Sequence, residues 1–118
     1  MTSKSELVFA GIKLRRKIYQ KSQDGHFSAA QREGFSRLHA YFHLAVEKFF
    51  LFPKHGSQDN AYNIPKVEVD QASLSADNVQ PTDIESQQSF YDSVHAAAIS
   101  LRAVTNKQTT ALKNVPTP

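Results

Sequence analysis

The sequence predicts an all-α protein, a three-helix antiparallel bundle with a long irregular loop between its second and third helices. Three observations predict it. Apolar residues recur at three- and four-residue spacings in three segments. The second and third of these segments open on a capping box, the first on a serine cap. Between Pro53 and Pro81 the composition changes: that stretch holds three of the five prolines and is rich in Asn, Asp, Ser and Gln. The 118 residues suit one domain, with the bundle over 1–112, the loop at 53–81 inside it, and a flexible tail at 113–118.

The first segment is expected from about Lys4 to Gln23, capped by Ser3 or Ser5 and stopped near Gly25. Leu7, Gly11, Leu14 and Ile18 form its apolar stripe, with Val8, Ile12 and Tyr19 beside it. Lys13, Arg16, Lys17, Gln20 and Lys21 occupy the opposite side, and Arg15 falls near the stripe, where its stem can snorkel.

The second segment opens at Phe27-Ser28-Ala29-Ala30-Gln31, where Ser28 and Gln31 have the spacing of a reciprocal cap. It is expected to run to Phe52, because the residue before Pro53 is pushed out of helical geometry. Phe35, Leu38, Phe42, Ala45, Phe49 and Phe52 share one face, with Tyr41 and Val46 at its edges.

Residues 53–81 are expected to be irregular. Lys66 to Asp70 alternates and suits a short extended piece; Ala72 to Asp77 suits a helical turn. The third helical segment begins at Thr82-Asp83-Ile84-Glu85, again with a capping box. Phe90, Val94, Ala97, Leu101 and Val104 repeat along it, flanked by Ile84, Tyr91 and Ala98, to about Thr109 or Leu112.

Composition excludes several functions. The chain has no cysteine, which removes disulfides, thiolate nucleophiles and the usual zinc fingers. Four glycines and no Gly-rich phosphate loop exclude a P-loop or dinucleotide fold. No apolar run approaches the ~20 residues of a membrane-spanning helix. In MTSKSELVFAGIKLRRK the basic cluster follows the apolar patch, the reverse of a signal peptide. The expectation is a soluble cytoplasmic protein.

Charge is divided. Residues 1–54 carry ten Lys or Arg against four Asp or Glu, and residues 55–118 carry four against seven. The two halves can neutralise each other across a bundle, or offer a basic face to an anionic partner. Lys13, Arg16, Lys17 and Lys21 share a face whose spacing suits phosphates of a nucleic acid or an acidic protein.

Two further clusters lie on the second segment. His39, His43 and Glu47 form an i, i+4, i+8 line, the spacing of weak candidate metal ligands that would need help from another helix such as His95. No cofactor is implied otherwise. Leu44 and Leu51 point nearly opposite the core face and Phe50 lies well off it, so the end of this helix is apolar almost all round. Such a helix is buried on more than one side, by the long loop, by a protein partner or by another copy of the chain.

Arg37, followed six residues later by His43, is similar to the Arg…His pair of HEPN-type ribonucleases, an all-helical family. In that family the pair lies on a late helix, usually with a polar residue after the arginine. Here Leu38 follows Arg37 and the pair lies on the second helix, so the resemblance covers two residues. The expected function is therefore a non-catalytic adaptor or regulatory protein acting through surface recognition, with Leu44, Phe50 and Leu51 as anchors. A nucleic-acid-associated protein is the alternative, and a metal-dependent or RNA-cleaving enzyme around His39 and His43 the lower one.

Overall fold

The computed structural model describes residues 2–51 and 59–113, and every regular element among them is helical. There are four α-helices among these residues: α1 (Lys4–Ser22), α2 (Ala29–Leu51), α3 (Asn63–Asn78) and α4 (Ile84–Lys113). A short 3-10 turn, Asp59–Tyr62, leads into α3.

The caps explain where the helices start. Ser3 Oγ accepts from the Glu6 N–H at 3.1 Å. Ser28 and Gln31 close the expected reciprocal box, with the Gln31 N–H on Ser28 Oγ at 3.1 Å and the Ser28 N–H on Gln31 Oε1 at 2.8 Å. At α4 the cap is displaced by one residue from the expected Thr82–Glu85 box. Asp83 Oδ1 accepts from the Ser86 N–H at 3.2 Å, and Ser86 Oγ donates back to the Asp83 carbonyl.

The expectation of three helices and a long loop is corrected by α3, which occupies residues assigned to that loop. Lys66 to Asp70 is helical, not extended. Pro65 sits in the first turn, where the missing N–H is one of those with no intrahelical acceptor. Beyond it, Val69, Ala72 and Ala76 repeat at three and four and are fully buried. The small alanines let α3 pack closely on its neighbours, and burial of that stripe outweighs the modest helix propensity of Val67 and Val69.

Contacts fix the topology. The Thr2 N–H donates to Asn63 Oδ1 at 2.9 Å, and Lys17 Nζ meets Asp77 at 2.9 Å, so α1 and α3 run parallel. Phe35 packs edge-on against Phe90 and Tyr41 against His95, so α2 and α4 are parallel too. Two antiparallel hairpins, α1–α2 and α3–α4, thus lie side by side. α1 packs on α2 and α3, α4 packs on α2 and α3, and the remaining pairs are diagonal. The bundle is elongated, 59 × 24 × 19 Å.

Leu7, Leu14, Ile18, Phe35, Phe42, Phe49, Phe90, Val94 and Leu101 form its axis. Tyr62 plugs the end where α1 and α3 begin, edge-on to Phe49 at 5.7 Å. Each large apolar side chain so buried contributes roughly 1.5–3 kcal/mol. Phe52, expected in the core, lies outside the described residues, as does the expected tail 113–118 except Lys113, which ends α4.

Candidate functional site

Two shallow grooves lie along the α1–α2 and α2–α4 seams, and the histidines of α2 and α4 divide between these seams. α2 is the helix common to both. Its core face is flanked by Leu38 and Tyr41 toward α4, and by Val46, His39 and His43 toward α1.

On the α1–α2 seam, Arg15 reaches across from α1. Its Nη1 donates to His43 Nδ1 at 3.0 Å and to Glu47 Oε1 at 3.0 Å. His39 stacks on His43 with ring centroids 5.9 Å apart, and Tyr19 of α1 tilts against His39 at 5.5 Å. Burial, then the neighbouring His43 and Arg15, hold the His39 imidazole below its ordinary value and so favour its neutral form.

The expected line of His39, His43 and Glu47 is therefore real as a line. It is held by a guanidinium: a cation already shares His43 Nδ1 and the Glu47 carboxylate. No group of three His, Cys, Asp or Glu among the described residues is arranged to hold a metal ion. His95 lies on the other flank of α2, against Tyr41 at 4.8 Å.

Beside this seam lies a shallow groove of about 370 Å³ lined by Lys4, Ser5, Val8, Phe9, Ile12 and Phe50. Val8 is buried beneath it, while Phe9 and Phe50 stand 71% and 57% exposed as its aromatic walls. Lys4 Nζ sits 5.5 Å from the Phe49 ring, and burial pulls its ammonium below the usual lysine value. The lining thus offers aliphatic and aromatic surface, one amine and no carboxylate.

The expected patch of Leu44, Phe50 and Leu51 divides. All three are exposed, at 55%, 57% and 73%. Phe50, however, turns toward α1 and joins the groove, whereas Leu44 and Leu51 lie a third of a turn away on the outward side of α2. Phe9 stands with Phe50 as the groove's second aromatic wall. Its signal in the sequence is an aromatic at the head of a cationic face, with Lys13 and Arg16 four and seven residues on.

No family model, curated protein or solved structure matches this chain. The site is accordingly read from its own geometry.

The four cations expected to act together are also divided. Lys17 donates to Asp77 Oδ2 at 2.9 Å and to the Ser73 carbonyl at 3.3 Å, tying α1 to α3. Lys21 Nζ lies over the Phe27 ring at 5.8 Å. Lys13 and Arg16 remain on the outer face of α1, in line with Phe9.

The α2–α4 seam holds Arg37, Tyr41, Tyr91 and His95 along a second shallow groove, across from Gly34. Arg102 stacks on the Tyr41 ring at 4.4 Å and donates to its hydroxyl at 3.2 Å. Arg37 pairs with Glu33 at 2.8 Å. The two residues that resemble the HEPN pair, Arg37 and His43, therefore face different neighbours across α2 and do not converge.

Proposed function

We propose that this chain is a small helical adaptor that captures an acidic, amphipathic segment of a protein partner in the groove between α1 and α2. The observation that carries this reading is the pair of exposed aromatic walls, Phe9 and Phe50, over an apolar floor with cations beside them. An apolar anchor from a partner helix would fill the space between the rings, in the manner of helix-in-groove recognition. Lys4, Lys13 and Arg16 would meet its acidic flank, raising the rate of encounter more than the final affinity.

Tracking of nucleic-acid phosphates by the same helix is the alternative. It has fewer cations to draw on, because Lys17 is spent on Asp77. It predicts retention on heparin or poly(U) that falls steeply with salt.

The deciding experiment is selection from a displayed library of helical peptides, on the native chain and on the F9S/F50S double variant. Enrichment of acidic peptides with one apolar face on the native chain, and its loss on the variant at unchanged helicity, is the expected result. Enrichment without acidic bias, or equal binding to both proteins, would overturn the reading.

A further inference from the structure

In the Arg15–His43–Glu47 arrangement one guanidinium nitrogen meets both an imidazole nitrogen and a carboxylate oxygen. In the observed arrangement His43 is a hydrogen-bond acceptor at Nδ1, because a guanidinium has no lone pair and only donates. Its ring proton must then be on Nε2. Adding a proton at Nδ1 abolishes this bond and places imidazolium against guanidinium. Glu47, one turn along the same helix, is the carboxylate that Arg15 now holds, and an imidazolium at i can pair with a carboxylate at i+4.

We propose that this seam is an acid-triggered charge swap, in which protonation of His43 transfers Glu47 from Arg15 to His43 and releases the polar tie between α1 and α2 beside Phe50. At neutral pH the Glu47 carboxylate is bonded across the seam and pins the two helices. In acid it is bonded within α2, and Arg15 is displaced toward solvent.

The surrounding groups make the swap directional. From α1, Arg15 and Tyr19 face the two imidazoles; from α2, His39 and Glu47 do so, with Arg32 two turns nearer the α1–α2 turn. α4 packs on the opposite flank of α2, through Tyr41 and His95, and α3 is diagonal to α2. His39 is disfavoured as a cation by burial and by its neighbours, so it adds no second positive charge to compete for Glu47. The cleft lined by Ile12, Arg15, Val46, Glu47 and Phe50 joins the charged cluster directly to the groove wall. Displacement of Arg15 therefore changes the cleft wall next to Phe50. The swap stands whether or not the groove takes an acidic partner.

The test is a pH titration of the intact chain by NMR, following the imidazole nitrogens, the Arg15 side-chain N–H signals and the Glu47 side-chain carboxyl carbon. The expected result is a single transition in which Arg15 and Glu47 signals move with His43, and the Phe50 ring signals move with them. His43→Gln keeps an acceptor for Arg15 and has nothing to protonate, so it should abolish the Arg15 and Phe50 transitions. His39→Gln should leave them in place, which also covers the case in which H43Q fails to fold. Titration of His43 with no response at Arg15 or Glu47, or the same Arg15 transition in H43Q, would overturn the proposal.

Discussion

At the scale of single residues, Gly34 shows how one atom sets the spacing of a seam. A Cβ built on Gly34 runs into the Tyr91 hydroxyl, whereas the ring carbon Cζ stands at an ordinary 3.6 Å. The ring is stacked on Phe35 at 5.9 Å and tilted against Phe90 at 6.3 Å, so its hydroxyl is not free to swing aside. Gly34→Ala should therefore destabilise the chain by about 1–2 kcal/mol through overpacking. In a Tyr91→Phe background the obstructing atom is gone, and the same G34A change should stabilise by up to ~1 kcal/mol through helix propensity. Urea midpoints of the four proteins in this cycle check the reversal of sign. The close approach at Gly34 was not legible in the sequence, because Tyr91 comes from the other hairpin.

At the scale of elements, the Ser3 cap, the Ser28–Gln31 box and the core stripes of α1, α2 and α4 were legible because they are local, while the α4 cap fell one residue beyond its expected place. Ser28 and Gln31 lie three residues apart, and Ser28→Ala should cost about 1 kcal/mol in chemical denaturation. α3 was not legible for a physical reason. Its buried stripe is made of Pro65, Val69, Ala72 and Ala76, which carry little hydrophobic weight individually. Its outer face carries Ile64, Val67 and Leu74, at 69%, 55% and 63% exposure. With apolar residues on both sides the helical period is blurred, and Val67 and Val69 together mimic strand alternation. Only the neighbours decide which side is inner. Val69→Ala should accordingly lower stability by about 1–2 kcal/mol, while Val67→Ala two residues away should stay within about 0.5 kcal/mol. Equal effects at the two positions would mean that α3 is not seated in the bundle as described.

At the scale of the whole molecule, the uneven charge of the two halves is resolved in part inside the fold, since Lys17 of the basic half pairs with Asp77 of the acidic one. That pairing needs α3 beside α1, so a sequence reading without α3 leaves Lys17 on the outer cationic face. The same dependence on tertiary placement explains the site: Phe50 was recognisable as misplaced in a simple core, but Phe9 became its partner only when α1 was laid along α2. The histidines on this seam connect the fold to pH. His39 is held below its ordinary value of 6.5, chiefly by burial. The unfolded chain therefore binds a proton at His39 more readily than the folded one. By linkage, stability rises with pH wherever the unfolded state holds more protons. The contribution from His39 is thus present above the unfolded value and is lost as the pH falls below it toward the lower folded value. Denaturation by urea should consequently show a lower midpoint at about pH 5.5 than at about pH 7.5, the interval over which histidine changes charge. His39→Gln removes the group that titrates and should make this difference smaller. A His39→Gln protein with the same pH dependence as the native chain would place the acid sensitivity on other groups, and an opposite slope in the native chain would mean that His39 is favoured as a cation in the fold.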